Sequence, residues 1–287
     1  MVESWCMKKT SLCKTAHRVS YQGVPIKSYQ LLAGVKMKLN FTTDSGIGSR
    51  ATLGLIVLQT DETLESEFAK VLPKNGVALY HSRIPMCNEV NSDTLKQMRI
   101  DIPNSAALLP PALSFDVIGY GCTSGATIIG PETVRDAVQK AHPEAQVTNP
   151  VTAIIAACEA LNAKKLGFLT PYVPEVSAQM REKLEASGHS VVAFGSFEES
   201  EDCVVAKITE ASILEAIESV ALQAECDAVV VSCTSLRTTG LIKEAEARIG
   251  KPVISSNLAM AWHMMKLANL SHNPSEFGEL FNLSSRK

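Results

Sequence analysis

The sequence contains no CxxC pair, no GxGxxG, no Walker loop and no HExxH. Its eight cysteines, Cys6, Cys13, Cys87, Cys122, Cys158, Cys203, Cys226 and Cys233, are scattered through 287 residues. The scatter argues against a disulfide framework and a tetrahedral zinc site. Free thiols in a reducing compartment, the cytoplasm, are the simpler reading. Without the glycine loops that cradle phosphates, a nucleotide cofactor has no recognisable seat. No apolar run reaches the roughly 18 residues that span a bilayer. The N-terminal MVESWCMKKTSLCKTAHRVSYQG is basic but lacks the continuous apolar centre of a signal peptide. A surplus of positive charge is also missing. With 27 basic and 30 acidic residues the net charge is -3, so there is no field to hold nucleic acid by counterion release. Neither a membrane nor a nucleic acid is expected as a partner.

What is present is regular. Residues 1–50 show no clear periodicity and read as an extension ending in the flexible LNFTTDSGIGSR. From residue 51 short apolar runs alternate with helical spacings. ATLGLIVLQT, VALYHSRI and FDVIGYGCTS read as strands, and DETLESEFAKVL and GPETVRDAVQKA as helices. NSDTLKQMRIDIPNSAALLPPA reads as mostly helical, interrupted at Pro103, and NPVTAIIAACEALNAK as a helix that begins on Asn-Pro. The order then starts again, with strands KLGFLT, SVVAFGSF, CDAVVVSCTS and PVISSN. Between them lie helices that end on Gly188 and Gly250, and LAMAWHMMKLAN closes the series. Continuous Val/Ile/Leu strands alternating with helices predict an α/β protein with parallel sheets covered on both faces. The second half keeps register with the first, because Thr60 and Thr170, and Cys122 and Cys233, are separated by almost the same offset. The chain therefore reads as an extension (1–50), two copies of one βαβαβα unit (51–150 and 151–270) and a tail (271–287).

Cys-Thr-Ser occurs in the same place in both copies, where a buried strand gives way to a turn. In open parallel sheets ligands bind outside the carboxyl ends of the strands. Two lobes facing one another about a pseudo-two-fold axis would bring Cys122 and Cys233 to one cleft. Thr123, Ser124, Thr234 and Ser235 would then present hydroxyls and backbone N–H groups to an anion, most naturally a substrate carboxylate. A helix N-terminus lowers a thiol pKa, so one sulfur could rest as thiolate while the other keeps its proton. Such a pair can pass a proton from one face of a carbon to the other, or add to a double bond and eliminate, with neither metal nor organic cofactor. Cysteine is usually buried packing, and Cys87, Cys158, Cys203 and Cys226 are read so. The repeat sets Cys122 and Cys233 apart. His81 and His263 read as hydrogen-bonded residues near the core. Arg237 is either a second carboxylate partner or a solvated surface residue.

GYGCTSGATIIGPE, LTPYVPEV and SCTSLRT followed by GKPVISSNLAMAWHMM resemble the aspartate/glutamate racemase superfamily, in particular its maleate cis–trans isomerase and arylmalonate decarboxylase branch. LIVLQTDETLESEF with ALYHSRIP is most similar to members associated with ectoine utilisation. The resemblance covers about residues 52–270. It implies two pseudo-symmetric α/β lobes with the active site between them, and thiol catalysis without a cofactor. Cys122 and Cys233 stand where the isomerases carry their two cysteines, whereas the decarboxylase has Gly at the first place. Thr123 and Ser124 match the carboxylate-binding turn, and Tyr172 matches a tyrosine that bonds the substrate carboxylate. Thr234 and Ser235 follow the second Cys. The isomerases often carry an Asn after the first strand, and here that loop reads Gln59, Thr60, Asp61. An Asp there favours a substrate bearing an amine, or else caps the following helix. The resulting expectation is a two-cysteine isomerase, a racemase or cis–trans isomerase, of a small amino- or dicarboxylic acid. A decarboxylase using Cys233 as proton donor and a non-catalytic carboxylate-binding protein are its rivals. A homo-oligomer is left open.

Overall fold

Among the described residues eight short strands carry the architecture. In the computed structural model, which describes residues 39–86, 92–272 and 274–283, the first half runs β1 (Ala51–Leu58), α1 (Leu64–Val71), β2 (Val77–Ile84), α2 (Ser92–Ala107), β3 (Val117–Gly121), α3 (Thr123–Ile129), α4 (Pro131–Gln139) and β4 (Gln146–Thr148). The helix α5 (Pro150–Ala160) links it to the second half. That half runs β5 (Lys165–Thr170), α6 (Pro174–Ala186), β6 (Ser190–Ser196), α7 (Asp202–Val205), α8 (Glu210–Gln223), β7 (Ala228–Val231), α9 (Ile242–Ile249), β8 (Val253–Ser255) and α10 (Ser256–Leu267). A 3-10 turn at Ser275–Phe277 and α11 (Glu279–Asn282) follow.

The strands form two parallel four-stranded sheets, in the orders β2-β1-β3-β4 and β6-β5-β7-β8. The second order repeats the first, as two copies of one unit require. The inner strands β3 and β7 are buried at every residue, whereas the edge strand β6 alternates buried and exposed positions over its first five residues. That is the signature of coverage on both faces at the centre and partial solvation at the edge. Gly188 and Gly250, at φ 86° and 67°, follow the ends of α6 and α9, where only glycine adopts the left-handed conformation without steric cost.

The two faces of the first sheet belong to different cores. Leu53, Leu55 and Val57 of β1 join an apolar cluster with Phe168, Val229 and Val231 of the second half. Ile56 and Leu58, pointing the other way, pack with Met98, Ile102, Leu109, Ile118 and Tyr120. The period-two alternation of the strand thus assigns alternate residues to the inter-lobe core and to the first lobe's outer core. The last helix crosses over: α10 packs against β3, β4, α1 and α5. Gly119 makes room for it, since a Cβ there would stand 2.3 Å from Met260 Cε and 2.8 Å from Met264 Sδ.

Four local features differ from the sequence reading. A seven-residue helix, α3, starts directly after Cys122, and the three-residue strand β4 adds to the edge of the first sheet. The helix α2 continues through Pro103. The burial of Met98, Ile102 and Ala106 offsets the one backbone hydrogen bond that proline removes. The C-terminal segment packs through the buried Phe277, Leu280 and Phe281.

Candidate active site

At the carboxyl end of β3 the chain turns at Cys122 into α3. Cys122 occupies the N-cap position, with φ -142° and ψ 114°, and its sulfur accepts the Gly125 N–H at 3.1 Å. This is the role Ser, Thr, Asp or Asn ordinarily fill. The Ser124 hydroxyl lies 3.6 Å from the same sulfur. The second copy is built differently. After β7 and Ser232 the chain enters an irregular loop, and α9 begins only at Ile242. Even so, Cys233 Sγ accepts a backbone N–H, from Ser235 at 3.3 Å.

The strand ends of the two sheets are stitched together around these sulfurs. Ser256, the first residue of α10, accepts the Cys233 N–H at 3.1 Å, and its hydroxyl shares a hydrogen bond of 3.1 Å with that of Thr123. Thr234 donates to the Gly121 carbonyl at 3.5 Å, and the Ser235 carbonyl accepts from the Thr63 hydroxyl at 2.9 Å. Tyr172 is buried just past β5. Its hydroxyl hydrogen-bonds the Cys233 sulfur, and its pKa is pushed well above the ordinary value by burial and by the negative charge that either Cys233 or Cys122 would carry. The two sulfurs belong to separate apolar clusters, yet they share this polar seam. Cys122, Cys233, Thr123, Ser124, Tyr172, Thr234 and Ser235 therefore come together.

Cys122 and Cys233 are 1% and 2% exposed. Burial pushes the Cys122 thiol up to about 11, against hydrogen bonds from Ser124 and Gly125 that pull it down, and the Asp202 charge adds to the rise. Burial pushes Cys233 up to about 12, with Asp202 and Asp61 adding to the rise and Tyr172 and Ser235 opposing it. The expected resting thiolate is thus corrected. The few donors at each sulfur do not compensate for desolvation near the Asp202 carboxylate.

The first-strand loop divides its residues. Gln59, expected at the site, is exposed, and its main chain is tied to β2 through Ile84 and Arg83. Its neighbour Thr60 reaches inward and donates to Asp202 Oδ2 at 2.8 Å. Asp61 is 3% exposed. Its Oδ1 accepts the N–H groups of Thr63 and Leu64, each at 2.7 Å, so it holds the turn into α1, whose N-cap position is Thr63. Its Oδ2 has no hydrogen-bond partner, although the Thr234 hydroxyl lies beside it. Burial raises the Asp61 pKa to about 6, against those two N–H bonds. Asp202, at the start of α7, also accepts from Ser235 Oγ at 3.5 Å, and its pKa is raised by burial.

Three groups at the seam escaped the sequence reading. Ser256 and Asn257 lie in the quoted PVISSN, where a polar trio interrupts a buried strand and an apolar helix. Glu67 is spaced three residues from Leu64 and one from Phe68, on the buried face of α1, and a charge on an apolar face signals a partner. Asp202 lies in an acidic stretch that gave no local signal. Arg237 is exposed and donates to the Ile208 carbonyl at 2.9 Å, which is a surface role. His263 is half-buried and bonded to Thr148 at 2.8 Å, with its pKa lowered by burial to about 4. His81 is exposed and its pKa lies below the ordinary value, chiefly through partial burial. Cys158 and Cys226 are buried as expected, Cys203 is exposed, and Cys87 lies outside the described residues. All five described cysteines are free thiols. Among the described residues no helix is long and apolar enough to cross a membrane, and no group of three or more His, Cys, Asp or Glu side chains is placed to hold a metal ion.

Known proteins are similar to this chain in sequence and fold. A maleate isomerase of Nocardia farcinica is 25% identical over 228 residues, covering 76% of this chain and 90% of that protein. The crystal structure of the maleate isomerase Iso from Pseudomonas putida S16 superposes with a TM-score of 0.74 at 23% identity, over 80% of this chain and 98% of that one. A mutant of the Nocardia farcinica maleate cis–trans isomerase, solved with a covalently bound succinylcysteine intermediate, gives the same TM-score of 0.74 at 24% identity, covering 80% and 98% of the two chains. The family description for arylmalonate decarboxylase matches residues 101–281, well over half of the sequence and the stretch that carries both cysteines. With the doubled sheet order and this match together, the chain belongs to the arylmalonate decarboxylase family.

Proposed function

We propose that the protein is a cofactor-independent isomerase of a small carboxylic acid, with Cys122 and Cys233 as its reacting groups. The observation that carries this reading is the link between the two cysteine turns, one from each sheet, through the Ser256 hydroxyl, which meets both the Thr123 hydroxyl and the Cys233 N–H. Thr123, Ser124, Thr234 and Ser235 surround the sulfurs with donors, and first-turn N–H groups of a helix have no intrahelical acceptor. A carboxylate held there places its α-carbon between two thiols. As charge spreads onto the carboxylate during proton removal, the same donors stabilise it. In a racemisation one sulfur takes the α-proton and the other returns one from the opposite face. In a cis–trans isomerisation Cys122 adds to the alkene, rotation follows, and elimination releases the product. The relatives named maleate isomerase, one of them carrying a succinylcysteine intermediate, favour isomerase chemistry. On its first-lobe motifs we group the chain with the members associated with ectoine utilisation, and we place it in the cytoplasm.

Because both thiols rest protonated, substrate binding must supply the drive for ionisation. The space beside Tyr172, Asp202 and Glu199 holds about 10 Å³, room for a single water. The test is Cys122→Ala and Cys233→Ala, each followed by NMR in deuterium oxide with amino and dicarboxylic acids. Each substitution should lower turnover by roughly 100- to 10,000-fold, the range for a lost acid or base, with the circular dichroism unchanged. Full activity in Cys122→Ala refutes the two-thiol reading. Carbon dioxide release that survives it identifies a decarboxylase working through Cys233. Tight binding with no deuterium entering any ligand identifies a binding protein.

A further inference from the structure

We infer that Thr63 and Glu67, on α1 of the first lobe, are positioning residues for Cys233 of the second, whereas Cys122 is held within its own lobe. The inference deepens the two-thiol reading and takes its catalytic meaning from it. Its first observation is an asymmetry between the two turns. Cys122 leads straight into α3, and the Gly125 N–H of that helix meets its sulfur at 3.1 Å. Cys233 has no helix directly behind it, because α9 begins only at Ile242. The chain between them is buried except at Arg237 and Gly240. Buried irregular main chain must find its hydrogen bonds outside itself. Two helices supply them. From α10, Ser256 accepts the Cys233 N–H, and Asn257 donates to the Thr234 and Leu236 carbonyls. From α1, across the lobe boundary, the Thr63 hydroxyl donates to the Ser235 carbonyl at 2.9 Å, and Glu67 Oε1 accepts the N–H groups of Thr238 and Thr239, both at 2.8 Å. Glu67 Oε2 also accepts from Asn257 Nδ2 at 2.7 Å, so α1 secures the α10 contact as well.

The second observation is where those two side chains stand. Thr63 and Glu67 are four residues apart, about one helical turn, so they share one face of α1. They are 4% and 3% exposed. The Thr63 hydroxyl makes no cap bond to its own helix, and is directed instead to the other lobe. Between them Leu64 packs on Gly121, where a Cβ would stand 2.3 Å from Leu64 Cδ2. Gly121 immediately precedes Cys122. One helix thus meets the root of both cysteine turns, by packing in its own lobe and by hydrogen bonds in the other.

The consequence for the second sulfur is direct. Ser235 is fixed at its carbonyl by Thr63, and its N–H is the donor that meets Cys233 Sγ at 3.3 Å. Without the Thr63 hydroxyl the buried carbonyl loses its donor, and a buried acceptor left unpaired drives the residue to another position. The N–H moves with it, and the sulfur loses its main-chain donor. Removing the Glu67 charge releases the same loop further along, at Thr238 and Thr239. Cys122 keeps its contacts with Ser124 and Gly125, which lie within its own turn. The placement of one thiol therefore depends on how the lobes meet, and that of the other does not.

The experiment measures thiol labelling of the full, folded chain by methyl methanethiosulfonate, resolved to single cysteines by tandem mass spectrometry. A buried thiol is labelled when its surroundings open locally, so the ratio of the Cys233 rate to the Cys122 rate reads the second turn against the first. Thr63→Val keeps the side-chain shape and removes the hydroxyl. It should raise the ratio by roughly 3- to 10-fold, the range for one neutral hydrogen bond. Thr63→Ser, which keeps the hydroxyl, should show the ratio of the unaltered chain. Glu67→Gln should raise the ratio by roughly 10- to 100-fold, the range for a bond to a charged group. Val220→Ala is the control for lost stability, since Val220 packs over Gly167 and Gly195, away from the loop, and it should leave the ratio unchanged. Thr63→Val decides the matter even where Glu67→Gln folds poorly. A ratio unchanged in Thr63→Val would overturn the inference, as would an equal rise in Val220→Ala. A raised ratio in Thr63→Val beside full turnover in Cys233→Ala would overturn the two-thiol reading and leave the support of Cys233 by α1 intact.

Discussion

Glu67→Ala should destabilise the protein by about 3–5 kcal/mol, the cost of stranding the buried donors that its carboxylate accepts from. Glu67 belongs to the first lobe, and its carboxylate is filled from the second. One oxygen accepts the N–H groups of Thr238 and Thr239, both at 2.8 Å. The other accepts Asn257 Nδ2 at 2.7 Å and Thr238 Oγ1 at 3.1 Å. The residue is 3% exposed, so no water replaces the carboxylate when it is removed. Two backbone N–H groups and an amide would be stranded, at about 1–3 kcal/mol each before relaxation. Glu67→Gln is the finer probe. Its amide oxygen can still serve Thr238 and Thr239, but its NH₂ would face the NH₂ of Asn257. Turning the Asn257 amide over would resolve that clash by presenting Oδ1, now without a partner. It would also withdraw Nδ2 from the Thr234 and Leu236 carbonyls. The Gln variant should therefore lose roughly 1.5–3 kcal/mol, one charge-assisted bond, and should loosen the loop that follows Cys233. Urea unfolding gives the stability, and amide hydrogen exchange at Thr238 and Thr239 reads the loop directly. For Glu67→Ala a fall in Tm on the order of 10 °C is expected. A loss below about 1 kcal/mol with those amides still protected would refute the account of Glu67 as the clasp between lobes.

Asp61→Asn should stabilise the protein at pH 8 by on the order of 3 kcal/mol, from a pKa raised to about 6 against 3.8. Below pH 4 the group is protonated in both states and adds no penalty. Between about pH 4 and 6 the unfolded chain releases a proton that the folded one keeps, so stability falls as pH rises, and the whole loss persists above 6. The gain should therefore vanish at pH 4, and equal gains at both pH values would show that burial of this charge is not the cause. Gly125→Ala would place a Cβ 2.6 Å from the Tyr120 hydroxyl oxygen and 2.9 Å from Cys122 Sγ. The protein should remain folded at a cost of about 1–3 kcal/mol, with turnover lost because the sulfur is displaced. Unimpaired turnover in that variant would show that the Cys122 position is not critical.

Much of this molecule was legible as a string. VALYHSRI is β2 residue for residue, and KLGFLT is β5; the inner strand β5 is a nearly continuous apolar run, and the edge strand β2 is only partly buried. The duplication was legible because both copies kept one spacing between strand and cysteine. The segments that stayed hidden are short or locally weak. TSGATII, with a glycine and β-branched residues, is a poor helix former, and it becomes α3 through the Cys122 cap and its buried setting. QVT is too short to show a period and is a strand only because β3 lies beside it.

Sequence alone, then, determined the element order and the two-fold repeat, and set two of the eight cysteines apart, since these depend on periodicity and spacing along the chain. Only the tertiary structure decided that α10 crosses to the first sheet, that Glu67 clasps the second lobe and that Asp202 reaches Thr60. Those contacts join residues more than a hundred positions apart. It also decided the state of the sulfurs. A helix start suggested that one sulfur could rest ionised, and burial, with the Asp202 charge, works against that, because desolvation depends on everything that surrounds a group and nothing in its local sequence records it.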